Sequence, residues 1–194
     1  SLELAKDYLK SGFLDRAETI LIKLSNEVEK PGQILNYLKE IYETEKEWNK
    51  AIQIANKIQS NTNKDMSDTI SHYYCELAEL ELNILKDGNL DKASKLAYKA
   101  FGYNRKSLRT LILIGDISYM TKNYADALKR YLLVYEKYPD SSYLVIKKIK
   151  NTYDNLNKKE SFLDFIKSFS HINSPIDIFS NVDQSYSENL SSKE

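Results

Sequence analysis

Several residue types are scarce in this chain of 194 residues, and each scarcity excludes a class of protein. The chain has one Cys, two His, three Pro and five Gly, and its formal net charge is zero. A single Cys excludes a framework of internal disulfides and a zinc site built on cysteine pairs. So few Gly and Pro residues do not suit a β-sandwich, which turns about every 8–12 residues. The balanced charge argues against a nucleic-acid-binding protein, which needs a basic excess to displace counterions.

Long apolar runs are also absent. No stretch approaches the roughly 18 apolar residues of a transmembrane helix, so we expect no direct membrane insertion within this chain. No secretory signal pattern stands at its start. The first residue is Ser1 rather than Met, which is expected of a piece excised from a longer protein. What remains, 42% hydrophobic and 29% charged residues, favours helices joined by short turns.

Four similar phrases recur along the chain. They read FLDRAETIL, EWNKAIQIA, NLDKASKLA and NYADALKRY, and each contains an alanine: Ala17, Ala51, Ala93 and Ala127. By subtraction these alanines are 34, 42 and 34 residues apart. A period of 34 predicts the tetratricopeptide repeat, in which two antiparallel helices, A and B, pack closely at small residues.

The predicted fold is all-α, a tetratricopeptide-repeat solenoid of antiparallel helix pairs with a C-terminal capping helix. About five repeats span residues 1–171, with a polar loop at 60–68 and a helix A in the third repeat that is about one turn longer. In the degenerate fifth repeat, Phe162 takes the small position. Residues 172–194 are predicted to form the capping helix, which begins at Ser174 and Pro175, and a frayed polar tail.

Residues that could perform chemistry are few. His72 and Cys75 lie three apart on one predicted helix, but no further metal ligands are suitably spaced, so a partly buried thiol beside a surface imidazole is the better interpretation. None of the common hydrolase, dinucleotide, phosphate-binding or zinc-protease motifs occurs. The sequence therefore predicts no catalytic residue, no metal site and no cofactor in this chain. Most of its 15 Tyr residues are predicted to fill the core rather than to stack on bases.

The predicted functional surface is the concave face that the A helices form in a stacked array. Arg and Tyr are over-represented at binding hot spots. Each position on this face is as well explained by an ordinary exposed residue. The face is mildly acidic, which suits a ligand with basic or mixed segments. The candidate partner-binding residues are Asn36, Glu40, Glu43, Glu79, Arg109, Ile112, Asp116, Tyr119, Lys147 and Asn151.

Three longer segments resemble a known bacterial family. They are LAKDYLKSGFLDRAE, IYETEKEWNKAIQIA and YYCELAELELNILKDGNLDKA, and the likeness extends from about Leu2 to Phe169. The chain is similar there to the lipopolysaccharide assembly protein B (YciM) family. In that family an N-terminal transmembrane helix precedes the repeats and a rubredoxin-like zinc module with two CxxC pairs follows them. This sequence contains neither, so no zinc ligand carries over.

The resemblance implies a non-catalytic adaptor at the cytoplasmic face of the bacterial inner membrane. The family regulates lipopolysaccharide biosynthesis by promoting turnover of the lipid A pathway deacetylase by the FtsH protease, and it is linked to an inner-membrane regulator. The implied partners are these proteins, with no nucleic acid. Two alternatives stay open. One is a generic repeat scaffold in bacterial envelope or pilus assembly; the other is the regulatory arm of an enzyme whose catalytic part lies in another domain.

Overall fold

The computed structural model describes residues 1–83, 89–158 and 161–165, which form helices and turns without a strand in these ranges. The predicted all-α class is therefore confirmed. Residues 161–165 are helical as well, while the predicted cap at 172–194 lies outside the described residues. The elements are α1 (Leu2–Lys10), α2 (Leu14–Glu27), α3 (Gly32–Thr44), α4 (Trp48–Thr62), α5 (Ser67–Asn83), α6 (Leu90–Tyr103), α7 (Leu108–Met120), α8 (Tyr124–Lys137), a 3₁₀ turn (Pro139–Ser141) and α9 (Tyr143–Asn155).

The chain divides into two compact units, Ser1–Ser107 and Leu108–Glu194, which are described separately. In unit 1, each of the helices α1 to α5 packs against the next along the chain, so that α5 packs on α6. In unit 2, α7 packs on α8 and α8 on α9. Both units are built as the antiparallel A–B pairs that the 34-residue spacing predicts. Helix α5 has 17 residues where α3 and α7 have 13, which confirms the longer helix A of the third repeat.

The turn between helices A and B has the same geometry in four pairs. One residue in each turn has a positive φ: Gly12, Lys46, Lys122 and Asn157, at 76°, 57°, 60° and 54°. The backbone N–H of the residue that follows donates to the carbonyl five residues before it, as from Phe13 to Tyr8 at 2.9 Å. This is the Schellman arrangement, which satisfies the last carbonyls of helix A. Since Gly stands at only one of these four positions, counting glycines does not find the turns.

Small residues form the contacts within each helix pair. Ala5 and Ala17 of the first pair are fully buried, as are Ala51 and Ala55 of α4. In the α5–α6 pair the buried alanines are Ala78, Ala93, Ala97 and Ala100. A small side chain lets two backbones approach closely, and the large residues beside it then fill the core at high density. The alanines that revealed the period are therefore the residues that hold the pairs together.

The inter-repeat loop is shorter than the predicted 60–68. Helix α4 continues to Thr62 and α5 begins at Ser67, so only residues 63–66 lie between them. Asn63 ends α4 with a left-handed backbone, φ 54°, and the Gln59 side chain accepts a hydrogen bond from the Met66 backbone N–H at 3.0 Å. The polar residues at both ends of the predicted loop 60–68 belong to the ends of α4 and α5. Their side chains satisfy backbone groups that the helices leave unpaired.

None of the helices in the described ranges is long and apolar enough to cross a membrane.

Candidate partner-binding site

The candidate residues of unit 1 lie on α3 and α5. The Asn36 amide donates to the Gly32 carbonyl of its own helix at 2.9 Å, so part of its hydrogen-bonding capacity is used locally. Glu40 is exposed to solvent, and Glu79 is half-buried on α5. Glu40 is therefore the most exposed of these three residues.

Glu43 of α3 takes part in a group of polar contacts in unit 1. It accepts hydrogen bonds from Lys39 at 2.7 Å and from the Tyr73 hydroxyl at 2.5 Å. Burial raises the pKa of the Glu43 carboxyl, but the hydrogen bonds from Lys39 and Tyr73 outweigh burial and hold that pKa below its ordinary value. Tyr73 itself is fully buried and stacks on Trp48 with 5.7 Å between ring centroids. Glu43 thus joins α3 to α5 and is part of the packing of the unit.

Asp116 has the corresponding place in unit 2. Its Oδ1 accepts a hydrogen bond from the Tyr131 hydroxyl of α8 at 2.7 Å and another from Lys148 Nζ of α9 at 2.6 Å. Burial, and then the hydrogen bond to Asp116, raises the pKa of Tyr131 above its ordinary value. Tyr131 reaches this position because Gly115 has no side chain: a Cβ there would lie 2.5 Å from Tyr131 Cε1.

Asp116 is also part of the wall of a pocket in unit 2. The pocket has a volume of about 240 Å³. Asn155 of α9 donates an amide hydrogen bond to the Tyr119 hydroxyl at 2.8 Å, which fixes one side. Met120 is 54% exposed and brings a large apolar side chain to the rim. The lining residues are Asp116, Tyr119, Met120, Tyr131, Lys148 and Asn151.

Three predicted residues, Asp116, Tyr119 and Asn151, therefore meet at one pocket, and three others of unit 2 do not. Arg109 and Ile112 are half-buried on α7, one to two turns before Asp116, and Lys147 is exposed on α9. None of these three lines the pocket. The expectation of a mildly acidic face does not apply to this pocket, because Lys148 pairs with Asp116.

Sequence reasoning missed Met120 and Lys148 at this pocket and assigned Tyr131 to the core alone. Tyr131 is indeed 1% exposed, yet its hydroxyl end reaches the pocket wall. Lys148 follows the predicted Lys147 by one residue. The buried residues of α9 are Val145, Ile146, Ile149 and Thr152. That buried stripe is the signal that could have selected Lys148, because it lies between Val145 and Thr152 at helical spacing.

A second pocket of about 270 Å³ lies at the first turn of unit 1, and the sequence analysis did not predict it. Arg16 lies over the rings of Tyr8 and Phe13, 5.7 and 5.4 Å from their centroids. Phe13 is 53% exposed. The lining residues are Gly12, Phe13, Leu14, Asp15, Arg16 and Glu45.

His72 and Cys75 of α5 differ in their exposure to solvent. Cys75 is 1% exposed and more deeply buried than expected, while the His72 side chain is 52% exposed. The His72 ring packs edge-on against Trp48 with 6.3 Å between centroids. In the described part of the chain, no group of three or more His, Cys, Asp or Glu residues could hold a metal ion.

Comparison with characterised proteins confirms the resemblance found in the sequence. The chain is 29% identical over 164 residues to lipopolysaccharide assembly protein B of Haemophilus influenzae, and 27% identical over 165 residues to that of Escherichia coli K12. These alignments cover 84% and 85% of this chain. The chain spans only 40% and 42% of the length of these two relatives. No protein-family profile matches the chain.

Solved structures support the fold. MamA superposes with a TM-score of 0.52 at 16% identity, over 84% of this chain and 90% of its own. BtubC from P. vanneervenii superposes with a TM-score of 0.51 at 14% identity, over 87% of this chain and 76% of its own. At such identities the likeness concerns the fold alone. Together with the observed helix pairs, it confirms the predicted repeat fold.

Proposed function

We propose that this chain is the repeat portion of a non-catalytic scaffold that acts in lipopolysaccharide assembly by binding other proteins. The similarity over 84–85% of the chain to two proteins named lipopolysaccharide assembly protein B carries this proposal. The helix pairs support it, because stacked repeats present extended surfaces that suit protein partners. The pocket at Asp116, with its exposed Met120, offers a built site for such a contact.

The finer proposal is an adaptor that regulates lipopolysaccharide biosynthesis. It binds the lipid A pathway deacetylase and promotes its degradation by the FtsH protease, in contact with an inner-membrane regulator. In this role the chain acts at the cytoplasmic face of the inner membrane. The family resemblance supports these partners and this location.

Deacetylase turnover in cells tests the adaptor role. The half-life of the deacetylase is measured after translation is stopped, in cells that contain the intact protein and in cells from which its gene is deleted. We expect a several-fold longer half-life in the deletion strain and its restoration by the intact gene. An unchanged half-life would contradict the adaptor role and favour a scaffold in envelope or pilus assembly.

Direct binding tests the location of the contact. The purified chain is titrated with the deacetylase encoded by the same genome, using surface variants that leave the core intact. Lys147→Glu combined with Asn151→Arg changes exposed residues of α9, and Lys129→Glu on α8 is the matched control. We expect the double variant to weaken binding about tenfold or more, as changes at charged interface positions do, and the control to bind normally. Equal affinity of all three proteins would place the contact elsewhere.

A further inference from the structure

The pocket in unit 2 has the size of a site for one side chain. Its volume of about 240 Å³ lies below the roughly 300–1,000 Å³ of sites for small molecules and cofactors. Its walls come from three helices, with Asp116 and Tyr119 on α7, Tyr131 on α8, and Lys148 and Asn151 on α9. A partner residue that enters it would contact α7, α8 and α9 at once.

The two charges of the pocket cancel. Lys148 Nζ lies 2.6 Å from Asp116 Oδ1, and the Tyr131 hydroxyl, 2.7 Å away, donates to the same oxygen. On α9, Lys150 lies 3.8 Å from Asp154, and Lys147 does not line the pocket. A charged ligand group would therefore find no free counter-charge in the pocket, because Asp116 and Lys148 already pair with each other.

The pocket lining also carries hydrogen-bonding groups outside this ion pair. Within the described residues, Asp116 Oδ2 accepts no hydrogen bond, and the Tyr119 hydroxyl accepts from Asn155 without donating its own proton. The Asn151 side-chain amide is also unbonded there, since Asn155 contacts only its backbone carbonyl. The lining thus offers a free acceptor on Asp116 and free donors on Lys148, Tyr119 and Asn151. An uncharged group that carries an N–H donor next to a C=O acceptor matches this combination.

We propose that the pocket lined by Asp116 and Lys148 binds the side-chain carboxamide of a glutamine or asparagine on a partner protein. The carboxamide N–H donates to Asp116 Oδ2, and its C=O accepts from Lys148 and Tyr119. The apolar neighbours of that residue in the partner pack on Met120, whose exposed side chain is of the kind enriched at interface cores. This inference rests on the proposed role as a protein-binding scaffold and specifies the chemistry of one contact.

Three capped heptapeptides test the proposal on the whole 194-residue chain. They share one sequence of Ala, Ser and Leu and differ only in the central residue, which is glutamine, glutamate or lysine. Affinity is measured by NMR titration, following the backbone amides of Tyr119 and Met120 and the side-chain amide of Asn151. We expect the glutamine peptide to bind about tenfold more tightly than the other two, because each of those leaves a charge unpaired in the pocket.

Two pocket variants should each lose the preference for the glutamine peptide, one in favour of the lysine peptide and the other in favour of the glutamate peptide. Lys148→Met leaves the Asp116 carboxylate without its cation, so the lysine peptide should bind best. Asp116→Asn keeps an acceptor for Tyr131 but leaves the Lys148 ammonium alone, so the glutamate peptide should bind best. Lys129→Met, at an exposed lysine on α8, is the matched control and should keep the glutamine preference. Circular dichroism of each variant checks that it is folded.

Several outcomes would overturn the proposal. One is that the unaltered protein prefers the glutamate or the lysine peptide. Another is that no chemical shift changes at Tyr119, Met120 or Asn151. The third is that both pocket variants are folded and still prefer the glutamine peptide. These results do not depend on the deacetylase. Glutamine-selective binding by a protein that leaves deacetylase turnover unchanged would refute the adaptor role alone. A protein that changes deacetylase turnover but does not bind the glutamine peptide selectively would refute the carboxamide site alone.

Discussion

The two units place the same chemical motif in different surroundings. In each, a buried tyrosine hydroxyl donates to a carboxylate that a lysine also contacts: Tyr73 to Glu43 in unit 1, and Tyr131 to Asp116 in unit 2. In this group of unit 1 the lysine is Lys39, four residues before Glu43 on the same helix. A second buried tyrosine of unit 1, Tyr42, donates to Glu18, and Lys50 of α4 lies 3.7 Å from that carboxylate. In unit 2 the lysine is Lys148, 32 residues after Asp116 and on another helix.

This difference in the origin of the lysine has a structural consequence. An ion pair within one helix turn follows from helix geometry alone and needs no neighbouring helix. The Asp116–Lys148 pair needs α7 and α9 to be held at a fixed separation by α8, and a pocket lies beside it. The comparison indicates that the motif joins helices in unit 1 and forms part of a candidate binding site in unit 2.

The largest expected effect is that of Phe162→Ala in unit 2. Phe162 is fully buried, with 5.8 Å between its ring centroid and that of Tyr153. Removing a buried Phe leaves a cavity, so we expect the free energy of unfolding to fall by about 3–5 kcal/mol. Phe13→Ala in unit 1, where the ring is exposed, should lower it by less than about 1 kcal/mol. Urea denaturation followed by circular dichroism measures both, and similar losses would contradict the core role of Phe162.

Glycine substitutions should give the next largest effect. In Gly115→Ala the new Cβ meets the Tyr131 ring, so the ring must move away from Asp116. We expect a loss of about 1–3 kcal/mol, the range for overpacking a close contact. At Gly102 in α6 a Cβ meets nothing within 4 Å, and Gly102→Ala should stabilise unit 1 by roughly 0.5–1 kcal/mol. Thermal and urea denaturation measure the change in the free energy of unfolding, which should have opposite signs in the two variants. A change of the same sign in both would refute this account of Gly115.

The tyrosine–carboxylate bonds predict a dependence on alkaline pH. Burial, and then the hydrogen bond to the carboxylate, raises the pKa of both Tyr73 and Tyr131. The resulting stabilisation is complete below the unfolded-state pKa of about 10 and is lost as pH rises above it. Tyr73→Phe and Tyr131→Phe should each lower stability at neutral pH by about 1–2 kcal/mol and reduce its decline at high pH.

Urea denaturation from neutral to alkaline pH measures these slopes. Tyr143→Phe, at an exposed position of α9, is the control and should change neither the stability nor the slope. Identical slopes in all variants would show that the buried hydroxyls do not couple folding to pH.

The smallest expected effect concerns the turns. Lys46 in unit 1 and Lys122 in unit 2 have left-handed backbones, which disfavour side chains and suit glycine. Lys46→Gly and Lys122→Gly should each raise the free energy of unfolding by about 0.5 kcal/mol, since the gain in the folded state is partly offset by a freer unfolded chain. Lys50→Gly within α4 should instead destabilise by about 1 kcal/mol. Thermal denaturation separates these cases, and destabilisation by the turn variants would contradict the turn geometry.

Periodicity made the fold predictable, and local spacing made part of the site predictable. The alanines at 17, 51, 93 and 127 gave the repeat because small residues must recur wherever two helices touch. Asp116 and Tyr119 share a helix face by their spacing of three, and the structure brings both to one pocket. The predicted loop between α4 and α5 is longer than the observed one because polar residues occur at helix ends as well as in loops.

The sequence by itself determined the helical class, the helix pairs and the resemblance to lipopolysaccharide assembly protein B, because each depends on patterns within a few tens of residues. The tertiary structure alone decided that Lys148 rather than Lys147 reaches Asp116, and that Asp116 Oδ2 accepts no hydrogen bond from any residue the structure describes. A difference of one residue turns a helical side chain by about 100°. Which lysine meets a carboxylate on another helix therefore depends on how α9 is rotated against its neighbours, and packing sets that rotation.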